Sequence, residues 1–99
     1  NQYRIVSGSS DRTVRVWDPD NGSELAELTG HTEEVTALAV LPGPENRHRI
    51  VSGSSDGTVR IWDPDDGTQL AELTGHTGWV SGVAVLPNPD GRHRLVSTG

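Results

Sequence analysis

The chain has 99 residues, of which 31% are hydrophobic, and a formal net charge of −6 in which arginine is the only strong cation. Because like charges repel, an acidic chain without lysine argues against nucleic acid or an anionic membrane as its partner. It has no cysteine, which excludes disulfides, thiolate catalysis and Cys-ligated metal sites. No apolar run approaches the roughly 20 residues of a membrane span. The lack of a recognisable signal peptide and of cysteine favours the cytoplasm over secretion.

The first part of the chain alternates short strand patterns with turn residues. It predicts strands over 4–7, 13–17, 24–28 and 35–40. Segment 24–28 also holds the helix formers Glu, Leu and Ala, but it is too short between turn signals to be a stable helix. The near-continuous apolar run of 35–40 is typical of a strand buried on both faces. Together they predict one small antiparallel sheet.

The sequence then repeats itself. A shift of 45 positions aligns 4–42 with 49–87 without a gap, and most aligned residues are identical. Segment 91–99 resembles the start of a third copy of the repeat. We therefore predict that 1–99 forms a single unit of two repeats with no separate linker domain. Such near-identity also suggests a recently amplified or engineered building block.

Two dipeptides recur with the same period: Gly30-His31 and Gly75-His76, with Trp17-Asp18 and Trp62-Asp63. With them the chain resembles, over essentially its whole length, the WD40-repeat β-propeller family, whose repeats carry Gly-His and Trp-Asp every 40–45 residues or so. The resemblance implies an all-β fold of four-stranded antiparallel blades, two in each chain. It places strands a to d of the one complete blade at 35–40, 49–54, 58–63 and 69–73.

Family members also carry a hydrogen-bonded polar tetrad in each blade. The matching positions of the complete blade are His31, Ser52, Asp56 and Trp62. Trp only donates and ionised Asp only accepts, whereas Ser and neutral His do both, so one chain of bonds satisfies every polar atom.

The tetrad of the first repeat is incomplete. Ser7, Asp11 and Trp17 match the family positions, but no Gly-His dipeptide precedes them in the sequence. The resemblance implies that His76, near the other end of the chain, supplies the missing histidine.

The order of strands predicts self-assembly. The chain runs b-c-d, then a-b-c-d, and offers strand a again at 80–85, so its first and last sheets are both incomplete. A propeller needs roughly four to eight blades. Head-to-tail pairing of copies would complete both the first and the last sheet. We expect a closed homo-oligomer, with a tetramer of eight blades preferred over a trimer of six. Many propellers of the family have seven blades, which turn by about 51° each, and the about 45° of eight demands less distortion than the about 60° of six.

Two segments compete for strand b at that junction. Segments 4–7 and 94–97 are copies of one another. Each blade that forms where two copies of the chain meet has a single place for strand b. Sequence does not decide between them.

The same residue types raise the question of catalysis. Ser, His and Asp recur together, but the nucleophile elbow is absent and the tetrad already uses them, so neither an enzyme nor a catalytic residue is predicted. His48 and His93, each between arginines, leave an anion or metal site open as the weaker alternative to a solvated loop. The Asp-rich segments 18–20 and 63–66 are interpreted as backbone turns rather than as calcium-binding loops. We expect no cofactor and no metal.

A ligand-binding surface should lie where the repeats differ. The candidates are a loop rim of Arg12, Glu33, Glu34 and Trp79, of which Trp79 is the best exposed aromatic contact, with packing on a neighbouring blade as the alternative. The expected function is a non-enzymatic protein-interaction scaffold. The alternative is a propeller that binds small ligands or glycans at repeated rim sites.

Overall fold

The structure, a computed structural model, describes residues 4–41, 48–65, 67–86 and 94–99. Of the residues considered above, His93 lies outside the described residues, as do Asp66 and residues 42–47. In the part that is described, no helix is long and apolar enough to cross a membrane.

The described residues form nine strands in three antiparallel sheets. The strands are β1 (Ile5–Gly8), β2 (Val14–Trp17), β3 (Glu24–Leu28), β4 (Val35–Leu41), β5 (Arg49–Ser54), β6 (Val59–Trp62), β7 (Gln69–Leu73), β8 (Gly82–Leu86) and β9 (Arg94–Thr98). The N-terminal sheet is β1-β2-β3, the central sheet is β4-β5-β6-β7, and the C-terminal sheet is β8-β9. The all-β prediction is confirmed, and 24–28 is a strand rather than a helix.

Strand β8 begins two residues later than predicted. The backbone N–H of Val80 donates to Ser54 O at 2.9 Å and that of Ser81 to Thr98 O at 2.8 Å, so this segment bonds both to the central sheet and to β9. Residues 80 and 81 lie outside the regular β8–β9 pairing because their backbone N–H groups donate to two different neighbouring strands. Val80 is nevertheless fully buried.

The turns between the first two strands of each repeat share one backbone conformation. Gly57 has φ 85° in the β5–β6 turn, and Arg12 has φ 79° at the corresponding place between β1 and β2. A residue with a side chain costs roughly 1–2 kcal/mol in this left-handed region, whereas glycine does not. The first repeat thus accepts backbone strain at Arg12.

The core lies between consecutive sheets. Trp62 of the central sheet is 1% exposed and packs with Val14, Val16 and Leu28 of the N-terminal sheet. Alternation along β2 points Val14 and Val16 to the same face, as a half-buried strand requires.

Strand β4 is not buried on both faces, contrary to the prediction from its apolar run. Val40 is 49% exposed, and Leu86 at the end of β8 is 54% exposed. Strand β4 contacts the sheets on both sides, because Val35 and Leu38 pack with the N-terminal part of the core and Ala39 and Leu41 with the C-terminal part. All of its residues nevertheless remain at least partly exposed. An apolar run does not tell how completely the neighbouring sheets cover a strand.

Two glycines allow the sheets to approach closely. A Cβ added at Gly53 of β5 would lie 2.7 Å from Val80 Cγ1, and one at Gly8 of β1 would lie 2.7 Å from Val35 Cγ1. Real side chains do not approach so closely, so the contact requires glycine. Strand β9 carries Thr98 at the corresponding place.

Candidate functional site

The central sheet brings four polar side chains into one buried chain of hydrogen bonds. Trp62 Nε1 donates to Ser52 Oγ at 2.8 Å, and Ser52 Oγ lies 2.7 Å from His31 Nε2. On the other side of the ring, His31 Nδ1 lies 3.0 Å from Asp56 Oδ2. Since ionised Asp56 only accepts, Nδ1 carries the proton and Nε2 accepts from the Ser52 hydroxyl. That the four serve as a structural tetrad stays a prediction.

Different elements position these four residues. His31 lies in the loop before β4, Ser52 in β5, Asp56 in the β5–β6 turn and Trp62 at the end of β6. The chain of bonds therefore ties the loop at the start of the sheet to its two central strands. Across the described residues, no buried side-chain nitrogen or oxygen lacks a hydrogen-bond partner.

Two threonines hold the aspartate, and sequence reasoning missed both. Asp56 Oδ1 accepts from Thr58 Oγ1 at 2.6 Å, and Asp56 Oδ2 accepts from the Thr32 backbone N–H at 3.0 Å. The first repeat reproduces the former bond, between Thr13 Oγ1 and Asp11 Oδ1 at 2.6 Å. The available signal was the Asp-x-Thr spacing, which both repeats share.

The glycine of the Gly-His dipeptide makes room for the indole. A Cβ at Gly30 would lie 3.0 Å from Trp62 Cη2. The His31 and Trp62 rings meet edge to face with centroids 6.1 Å apart, an arrangement that aromatic pairs prefer. Thus the two dipeptides of the repeat, far apart in sequence, form one contact.

Burial and hydrogen bonding shift two pKa values in this cluster. Desolvation lowers the pKa of His31 and outweighs the opposing pull of Asp56, so the imidazole is held neutral. Desolvation alone would raise the pKa of Asp56, but the bonds from Thr58, Thr32 and His31 outweigh it, and the pKa lies well below its usual range. The neutral histidine and the ionised aspartate are the forms that the bonding pattern requires.

We expect acid to destabilise the fold in two steps. Both folded pKa values are lowered, so the unfolded chain binds more protons, and stability is present above the unfolded pKa values and lost as pH falls through them. The His31 part begins to be lost below about 6.5, the unfolded value, and the Asp56 part below about 3.9.

Urea titrations between pH 8 and pH 3 measure this loss. In His31→Gln the first step should shrink, whereas in Asp56→Asn the second should. An unchanged pH profile in His31→Gln would contradict the assignment.

The first repeat assembles only part of the same set. Trp17 Nε1 donates to Ser7 Oγ at 2.8 Å, as Trp62 does to Ser52. Asp11 lies 3.4 Å from Arg15 in an ion pair. The hydrogen bond from Thr13, followed by that from Ser9, lowers the pKa of Asp11.

His76 does not join that set within the chain. Its Nε2 lies 2.7 Å from Ser97 Oγ in β9, which repeats the His31–Ser52 bond. Beside this pair is a cavity of about 190 Å³ lined by Val59, Leu73, Thr74, Gly75, His76 and Ser97. The chain thus contains a Ser–Trp pair at one end and a His–Ser pair at the other.

The predicted rim residues lie in loops that contact the turns. The backbone carbonyls of Glu33 and Glu34 accept from Ser54 Oγ at 3.1 and 2.8 Å. Trp79 is 65% exposed, and Arg12 is exposed in its turn. Their role in binding stays a prediction. Throughout the described ranges, no group of three or more acidic or histidine side chains is arranged to hold a metal ion.

Comparison with known proteins gives the family. Similar proteins include WD repeat-containing protein 41 from Homo sapiens, 41% identical over 44 residues, which are 44% of this chain and 10% of that protein. Others are the U3 small nucleolar RNA-associated protein 15 homolog from Xenopus tropicalis, 50% identical over 34% of this chain and 7% of that protein, and nuclear distribution protein PAC1 from Mycosarcoma maydis, 45% identical over 38% and 8%.

The chain spans a tenth or less of the length of each of these relatives. The family model described as WD domain, G-beta repeat matches residues 1–18, 22–63 and 67–99, nearly the whole chain. The buried contact between its Gly-His and Trp-Asp dipeptides accords with that match. This chain belongs to the WD40 repeat family.

Proposed function

We propose that the chain is a non-enzymatic two-blade unit that assembles head-to-tail with its own copies into a closed propeller. WD40 proteins are typically scaffolds without catalytic activity and commonly bind other proteins, and the ring would present its loop rim to such partners. The observation that carries the assembly is the complementarity of the two ends. One end has Ser7 and Trp17, and the other has His76 beside an open cavity.

The apolar surface at the two ends supports the same proposal. Ile5 of β1 is 52% exposed and Leu73 of β7 is 43% exposed, whereas their counterparts Ile50 and Leu28 are 3% and 1% exposed in the core between sheets. Joining a second copy would make each end resemble that core. Burial of apolar area at about 25 cal/mol per Å² would drive the association.

Ring closure needs a whole number of two-blade units. Four chains give eight blades, and three chains give six. We propose four, because many propellers of the family have seven blades, which turn by about 51° each, and the about 45° of eight blades lies closer to that than the about 60° of six. In this ring Trp79 and the Glu33–Glu34 pair alternate around the rim, so partners would meet an aromatic contact and an acidic one in turn.

The solution mass tests the assembly directly. Light scattering on a sizing column should give four times the 10.6 kDa of the chain. A mass of three chains would support six blades. A folded single chain at all concentrations would refute the self-assembly proposal.

His76→Ala should weaken the junction selectively, because its counterpart His31 joins elements within one sheet and His76 would join two copies. We expect the assembly to dissociate at a higher chain concentration than wild type, while the far-ultraviolet circular dichroism of the folded chain is retained. The matched control is His31→Ala, which should lower the stability of every chain. Equal dissociation of wild type and His76→Ala on dilution would contradict a role across chains.

A further inference from the structure

The edge of β8 that a second copy would use is already occupied. Strand β9 pairs with β8 from Gly82↔Thr98 to Leu86↔Arg94. Ser97 of β9 bonds His76 just as Ser52 of β5 bonds His31. In the proposed ring, however, β1 of a second copy is equivalent to β9 and carries Ser7. One of the two strands must leave.

Strand β9 fits β8 but does not fit the sheet that would follow. The strands β1 and β5 have Gly8 and Gly53 where Val35 and Val80 of the following sheet approach, and a Cβ added to either glycine would lie 2.7 Å from a valine methyl carbon. Strand β9 has Thr98 there. Its Cβ and the two atoms attached to it would occupy the space of a valine methyl, and β-branched side chains cannot rotate away.

Within the free chain the same threonine is well accommodated. Thr98 Oγ1 lies 3.2 Å from Ser81 Oγ and faces Gly82, where an added Cβ would lie 3.1 Å from that oxygen. The first repeat has Ala37 in place of Gly82, opposite Gly53. The glycine of this facing pair is thus on β5 in the central sheet (Ala37 opposite Gly53), but on β8 in the C-terminal sheet (Gly82 opposite Thr98).

The cavity next to β9 has the surroundings of a missing tryptophan. Around Trp62 lie Gly30 and the buried Leu28. The corresponding Gly75 has nothing within 4 Å of an added Cβ, and the corresponding Leu73 is 43% exposed. A cavity of about 150 Å³ can take benzene, so the about 190 Å³ here suits a larger aromatic group.

We propose that β9 is a placeholder strand, which covers the edge of β8 in the free chain and is displaced by β1 of a second copy, whose Trp17 then fills the cavity. This inference rests on the proposed self-assembly. His76 exchanges Ser97 for Ser7 of the second copy and gains Asp11 of that copy as a partner for Nδ1. The number of strand pairs at the edge is conserved, while β2 and β3 of the second copy are added.

Paired cysteines distinguish the two occupants, because the chain has no cysteine of its own. Leu86→Cys with Arg94→Cys joins β8 to β9 within a chain, since these residues are register partners. Leu86→Cys with Arg4→Cys joins β8 to β1 of a second copy, as Leu41 pairs with Arg49 in the central sheet. The three positions are exposed, and facing residues in antiparallel strands lie within disulfide reach.

We expect oxidised Leu86→Cys/Arg4→Cys to give interchain-linked species on a non-reducing gel. Oxidised Leu86→Cys/Arg94→Cys should run as a single chain on a sizing column and regain the mass of wild type on reduction. Thr98→Gly, added to Leu86→Cys/Arg4→Cys (the Arg4 pair), should lower the interchain yield while assembly is retained. Without the threonine side chain, β9 can remain beside β8 and still pack against the following sheet.

Several results would overturn the exchange. If the chain with β9 locked assembles like wild type, or the Arg4 pair gives no interchain product while wild type assembles, β9 stays in place and only this inference fails. An unchanged interchain yield with Thr98→Gly would refute the steric reason for displacement. If wild type itself remains a single chain, the proposed assembly fails and the exchange fails with it.

Discussion

Trp62→Ala should lower the free energy of unfolding by about 3–5 kcal/mol, the usual cost of truncating a buried aromatic side chain. The indole is 1% exposed and packs against Val14, Val16 and Leu28 of the preceding sheet. Its removal opens a cavity between the sheets and leaves Ser52 with one hydrogen bond fewer. Urea denaturation at a fixed chain concentration measures the loss, because assembly would make stability depend on concentration.

Two substitutions separate the causes of that loss. Trp62→Phe keeps most of the apolar contact and removes the Nε1–H donor to Ser52. It should therefore cost about 1 kcal/mol for the lost hydrogen bond, and in addition the apolar contact that the smaller ring no longer makes. Trp79→Ala is the matched surface control, because Trp79 is 65% exposed, and it should change stability by less than about 0.5 kcal/mol. A neutral Trp62→Ala would contradict the packing of the two sheets.

The strands could be predicted because their signals are local. Alternating apolar residues and Gly, Asp and Pro in the turns give β2, β3 and β6 to within a residue or so. The resemblance also singled out the four residues that the central sheet brings together. Those side chains have few bonding options, so the order of their bonds could be anticipated from donor and acceptor types alone.

What depended on contacts between sheets could not be predicted. The apolar run of β4 looked buried on both faces, yet Val40 is half exposed, because composition does not tell how completely the neighbouring sheets cover a strand. The two copies of strand b looked equivalent until the structure showed which sheet approaches Gly8 and Gly53. The Thr98 difference is visible in the sequence, but its meaning requires the position of Val35 and Val80.

Gly53→Ala tests that sheet-to-sheet contact, and we expect a loss of about 1–3 kcal/mol in the free energy of unfolding from overpacking. The new Cβ would lie 2.7 Å from Val80 Cγ1 and 3.3 Å from Val83 Cγ1. Val80 is fully buried, and close-packed interiors resist such a displacement. The control is Gly78→Ala, where nothing lies within 4 Å of an added Cβ. That variant should be neutral or slightly stabilised, since alanine reduces the freedom of the unfolded chain.

A double substitution identifies the contact itself. Val80→Ala removes the methyl groups that Gly53→Ala would meet, so the double variant should be more stable than the sum of the single losses implies, by about 0.5–3 kcal/mol of coupling. Coupling of this sign is the result expected when the two residues touch across sheets. Additive losses would place Val80 away from Gly53, and the argument that Thr98 cannot face the following sheet would lose its basis.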